Sequence, residues 1–204
     1  MFPRVLRFLP LRIVFIALLI SFARADVSLL LEEAIGVAGA LEGTGHAAIY
    51  FSNICADSPL RVRLCRPGEK GAVISRYDGF SAAAQYGWFA IPVLPFLYGV
   101  EDDADIPLYA NAKVRDLLRD RYRRDRLIDL LPDLPGGKAP PGHWRAVVGA
   151  LLDRDIYSFT LHTTPEQDAQ RVAELNRDIN KNHFHETYSN CADFARIEIN
   201  RYFP

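Results

Sequence analysis

Between residues 46 and 77 the chain reads as three short extended runs, 46–54, 61–66 and 72–77, divided and ended by Ser58-Pro59, Pro67-Gly68 and Asp78-Gly79. Ile49, Tyr50 and Phe51 supply the β-branched and aromatic character that strands favour. Connections this short admit no crossover helix, so the runs predict an antiparallel sheet. With 204 residues, half of them hydrophobic, the chain can bury one good core, and one domain is the expectation.

Helical patterns surround that sheet. Residues 27–41, rich in Leu, Ile and Ala, read either as a helix ending at Gly43-Thr44-Gly45 or as a strand followed by a helix. Residues 81–108 hold Tyr86, Trp88, Phe89, Phe96 and Tyr98, and Pro92 and Pro95 forbid one long helix there. The apolar part, 88–100, could line a groove, although covering the core is the commoner role for such a run. Residues 111–131 predict a helix with Val114, Leu118 and Tyr122 on one face and Asp116, Arg119, Asp120 and Arg123 alternating in sign. Its Arg-rich side could contact anionic lipid at a membrane surface, while a solvated face is the commoner explanation.

Residues 132–142, with four prolines and three glycines, form a loop, and 143–152 predict a short helix. Residues 156–163 alternate as a strand. Thr164-Pro165-Glu166-Gln167 is a capping box that opens a helix with Val172, Leu175 and Ile179 on one face. The expected class is α+β: a small antiparallel sheet packed on helices.

The N-terminus reads as an export signal. Arg4, Arg7 and Arg12 precede the apolar residues 13–23, and Ala23-Arg24-Ala25 fits a small-x-small cleavage site. A retained anchor is the alternative, but the run falls short of the roughly 20 residues a spanning helix needs. Removal of residues 1–25 leaves 204 − 25 = 179 residues in an oxidising compartment. The expected organisation is a signal peptide, 1–25, and one domain, 26–204, carrying an insertion at about 81–142. Cys55 and Cys65 flank a turn and are expected to pair as a disulfide, with Cys191 as the odd thiol. The formal net charge of -1 gives no pull toward nucleic acid.

Cys191 follows Ser189 and Asn190, either of which can cap a helix, and Asp193 falls in the first turn. A thiol at a helix N-terminus faces the positive end of the dipole, which favours the nucleophilic thiolate. The candidate base is His46, which opens the strand Gly45-His46-Ala47-Ala48-Ile49-Tyr50. A histidine bound in the core is the bland alternative for His46.

A Gly-His-Ala-Ala-Ile-Tyr strand followed much later by Asn-Cys-Ala-Asp-Phe resembles the circularly permuted branch of the NlpC-type papain-like thiol enzymes, the group of lecithin:retinol acyltransferase and uncharacterised bacterial envelope relatives. The likeness covers two short motifs and their order, about a third of the chain. It implies a permuted papain-like fold, with Cys191 as nucleophile and His46 as base in a hydrolase or acyltransferase. The substrate would be an envelope amide or ester, in peptidoglycan peptide or lipid. It implies no cofactor.

That group adds a polar residue to orient the histidine. Arg63, Glu69, Ser75 and Arg76 all qualify by position, and the chain singles out none of them. No histidine lies between His46 and His143, so a His-His-Cys set is not evident, and 81–142 departs from a compact family core. Two alternatives stand beside the enzyme. One is a non-catalytic envelope protein on the same scaffold. The other is a metal site using His183, His185 and Cys191, with His46 joining them, although no ligand spacing typical of zinc is present.

Overall fold

The structure is a computed structural model that describes residues 25–35, 45–77, 86–181, 184–185 and 187–203. Among the described residues, seven strands and four α-helices make an α+β fold. Five strands form an antiparallel sheet in the order β6-β5-β2-β1-β7: β1 (Ala25–Glu32), β2 (His46–Phe51), β5 (Ala72–Ser75), β6 (Phe89–Pro92) and β7 (Ile156–Thr163). A separate hairpin joins β3 (Ile54–Ser58) to β4 (Arg61–Leu64). The helices are α1 (Val93–Tyr98), α2 (Ala112–Arg126), α3 (Pro165–Arg177) and α4 (Cys191–Tyr202).

Alternation along the strands divides the core in two. Leu30, Ala48, Val73, Phe89 and Ile91 face a cluster built from Phe96 of α1, Tyr122 of α2 and the segment holding Trp144, Val147 and Val148. Val27, Ala47, Ile49, Phe51, Ile74 and Ala90 face Leu175 of α3 and Phe194, Ala195 and Tyr202 of α4. Neighbouring residues on one strand therefore serve different layers. Gly45, at φ +76°, lets the chain enter β2, where a Cβ would stand 2.4 Å from the Glu32 carbonyl oxygen.

Each longer helix begins on a side-chain cap. Asn111 accepts from the Val114 amide at 3.0 Å, and Asn190 accepts from the Asp193 amide at 3.0 Å. Thr164 and Gln167 form the expected reciprocal capping box with Pro165 in the first turn. The Cys55–Cys65 disulfide is present and ties the β3–β4 hairpin.

Several expectations are corrected. The run 46–54 is two strands, β2 and β3, that belong to different sheets. As expected of the commoner role, 88–100 covers the core through Phe89, Ile91 and Phe96, and β6 within 81–142 joins the central sheet. Residues 143–152 form two short 3-10 turns, parted by Gly149 in the left-handed region. The helix expected over 111–131 stops at Arg126, and Ile179 lies beyond α3 and is exposed. Within 27–41, a strand occupies the first part, and 36–44 lie outside the described residues. Of the leader expected over 1–25, residues 1–24 also lie outside them, and Ala25 opens β1. Among the described residues no helix is long and apolar enough to cross a membrane.

Candidate active site

Cys191 is the first residue of α4 and is half-buried, packed at the margin of the α3–α4 cluster. Phe194 and Ala195, one turn on, bury against the sheet and hold the helix start over β2. Asn190 orders that first turn through its cap. Arg76 reaches it from the sheet. Its Nε donates to the Gly87 carbonyl at 2.7 Å, its Nη1 lies 3.3 Å from Ser189 Oγ, and its guanidinium stands 5.2 Å from the centre of the Phe194 ring. Burial lowers the Arg76 pKa, opposed by Glu198 and Asp193. A guanidinium and a helix N-terminus thus converge on the turn that carries the thiol.

His46 points the other way. The β2–β5 register pairs Ile49 with Ile74 and Tyr50 with Val73. Arg76 and Tyr77 follow directly on the end of β5 at Ser75. The His46 ring stacks on Tyr77 at 3.6 Å between centroids, and its Nε2 lies 3.1 Å from Ser75 Oγ. Glu32 is its cross-strand partner on β1 and pairs with the buried Arg154 guanidinium. Arg154 also donates to the Ala146 carbonyl at 3.0 Å and to the Tyr77 hydroxyl at 3.3 Å. Tyr77 belongs to the cluster under α1 and α2, whereas Cys191 packs on the cluster under α3 and α4.

The structure therefore does not bring the expected pair together. Among the described residues no hydrogen bond joins the imidazole to the thiol: the ring packs with Tyr77 of the α1–α2 cluster, and the thiol with the α3–α4 cluster. The His46 pKa falls well below its ordinary value, first through burial and then through the nearby Arg154 and His143 charges. That shift keeps the ring neutral at pH 7 and makes it a weak base. Its arrangement is that of a bonded core histidine.

The four candidates for a third residue separate as well. Ser75 is the partner of His46, and Arg76 stands at the start of α4. Arg63 and Glu69 bind each other through two hydrogen bonds of 2.6 and 2.7 Å, with Glu69 held down to about 2 by Arg63 and the Arg66 amide. Both line a cavity of about 420 Å³ beside the disulfide, with Lys70, Glu101 and Arg126, and neither Cys191 nor His46 lines it.

For metal binding, the cluster with suitable geometry among the described residues is Cys55, Cys65 and Glu69, and its two sulfurs are joined to each other. His183 lies outside the described residues. His185 stacks on Tyr188, and its Nδ1 accepts from the Thr187 amide at 3.2 Å. Every arginine of α2 has a carboxylate beside it: Asp116 and Asp153 for Arg115, Asp153 for Arg119, Asp125 for Arg121, Asp120 and Asp133 for Arg123, Asp120 for Arg124 and Glu101 for Arg126. Each of these arginines thus has an acidic partner on the protein itself, and the side chains of Arg121, Arg124 and Arg126 are exposed.

Sequence reading missed Glu32, Tyr77, His143 and Arg154. The signal for Glu32 was a carboxylate ending the apolar run Leu29-Leu30-Leu31, which marks a buried charge in need of a partner. The chain matches no family model, no curated protein and no solved structure.

Proposed function

We propose that this protein is an exported thiol hydrolase or acyltransferase of the cell envelope, with Cys191 as its nucleophile. The observation that carries the reading is the placement of Cys191: outside the disulfide, half-buried, at the first position of a capped helix whose approach, at Ser189, is met by the Arg76 guanidinium. The leader pattern and a disulfide-tied hairpin support an oxidising compartment. The motif likeness to permuted papain-like enzymes supports acyl chemistry.

In this reading the Cys191 thiolate attacks the carbonyl carbon of an amide or ester. The C–N or C–O bond breaks, the leaving amine or alcohol takes a proton from water, and a thioester remains on sulfur. Water then releases a carboxylic acid, or a second amine or alcohol takes the acyl group. Amides at the start of α4 are suited to hold the oxyanion. This reading gives His46, bonded to Ser75 and stacked on Tyr77, no part in the step.

One observation favours a second reading, a non-catalytic scaffold: the histidine that the motif order offers as base is a core group. The test is intact-protein mass spectrometry after incubation with peptidoglycan fragments and, separately, with phospholipid vesicles. An acyl adduct that maps to Cys191 and disappears in Cys191→Ala supports the enzyme. No adduct from either substrate class supports the scaffold.

A further inference from the structure

Among the described residues the sheet ends on β7, and this edge is unusual in what it lacks. β7 pairs with β1 along all eight of its residues without a bulge, and it closes the strand order. An edge strand presents backbone amides and carbonyls to the outside, and monomeric proteins guard such edges with lysine, proline, bulges or inward charges. The sequence Ile156-Tyr-Ser-Phe-Thr-Leu-His-Thr163 holds no Asp, Glu, Lys, Arg or Pro. One face of it carries Tyr157, Phe159 and Leu161, exposed by 52, 57 and 41%. They stand opposite Leu31, Leu29 and Val27 of β1, and Leu31 is itself 40% exposed. The margin of the sheet beyond the reach of α4 is therefore a continuous apolar strip.

We infer that β7 is a dimerisation edge, on which β7 of a second copy pairs antiparallel about a two-fold axis at Phe159 to make one ten-stranded sheet. The alternation of the strand argues for a second copy as the occupant. A two-fold axis perpendicular to the sheet keeps each face on its own side and pairs residues of equal parity. Phe159 then meets Phe159 of the second copy, and Tyr157 meets Leu161. On the other face Ser158 meets Thr160, and Ile156 meets His162. Every apolar residue of the strip finds an apolar partner, the hydroxyls find each other, and no like charges oppose. Aromatic and aliphatic cross-strand pairs of this kind are the unit of sheet stabilisation. The inference does not depend on the thiol chemistry.

Sedimentation of the protein in solution tests it. The wild type should run at twice the chain mass. Phe159→Glu, which sets two carboxylates face to face on the axis of an already exposed site, should run as a monomer with wild-type circular dichroism. In a Cys191→Ala background, Phe159→Cys should cross-link two copies on mild oxidation. Ser158→Cys should not, because a two-residue offset carries its Cα beyond the roughly 7 Å a disulfide spans. A monomeric wild type overturns the inference. So does a dimer that survives Phe159→Glu, or one that cross-links through Ser158→Cys and not Phe159→Cys. A monomer that instead takes up an extended apolar peptide along β7 overturns it too.

Discussion

The two faces of the central sheet bury charge in the same way and differ in what they leave within reach. Under α1 and α2, Glu32 and Arg154 form a buried ion pair around which His46, Ser75 and Tyr77 are bonded or stacked. Under α3 and α4, Arg171 lies 2.5 Å from Glu198, and the buried Asp168 accepts from the Tyr202 hydroxyl at 3.1 Å and from Asn53 at 3.2 Å. Both sets fix the packing of their layer. Only the second layer places a half-buried thiol at a helix start, with Arg76 on the Ser189 hydroxyl just before it. The contrast teaches that motif order along a chain does not decide which side of a sheet a residue serves. A step of one residue does: Ser75 turns to His46, and Arg76 turns to α4.

Removing one member of a buried pair gives the largest expected effect. Arg154→Ala leaves Glu32 buried without its guanidinium and should cost about 3–5 kcal/mol in chemical denaturation. Arg171→Ala should cost a similar amount, since Glu198 is buried as deeply. The two variants sharpen the comparison through the thiol. While each is still folded, Arg171→Ala should alter the rate of Cys191 labelling by loosening α4, and Arg154→Ala should leave it unchanged. Equal changes in both would break the division into two layers. The exposed pair Arg121–Asp125 is the control, and Arg121→Ala should cost less than about 1 kcal/mol.

Acid should act through the His46 face. Its pKa is depressed in the folded protein, so the unfolded chain binds a proton that the folded one refuses. The stability His46 contributes is complete above the unfolded value of roughly 6.5 and is lost as pH falls below it toward the folded value. The slope approaches about 1.4 kcal/mol per pH unit in that window. Denaturation midpoints of wild type and His46→Gln at pH 7.5, 6.5 and 5.5 measure it, and the variant should lack this component. A smaller effect belongs to the other face. Asn190→Ala removes the α4 cap and should cost about 1 kcal/mol, with slower labelling of Cys191.

Much of this architecture was legible in the chain. Turn residues at 58–59, 67–68 and 78–79 forced short antiparallel strands, and the capping box at Thr164 marked the start of α3 to the residue. The thiol at the start of α4 followed from Asn190 and the residues after it. Other features depend on register, which is long-range. Nothing in the sequence pairs β2 with β1 and β5, and that pairing puts His46 among Glu32, Ser75 and Tyr77. The break at Ser52-Asn53 was hidden because both sides of it favour extended backbone. The 3-10 turns at 143–152 read as helix because their apolar residues bury on packing, whatever their local turn.

The rate at which a thiol-directed acyl probe modifies Cys191 at pH 7, in the wild type and in His46→Gln, tests the central claim most directly. The account predicts that the wild type reacts faster than free cysteine and that His46→Gln reacts at the same rate. A strong slowing in His46→Gln would mean that the imidazole reaches the thiol after all. A wild type no faster than free cysteine would mean that the start of α4 does not activate its thiol at all.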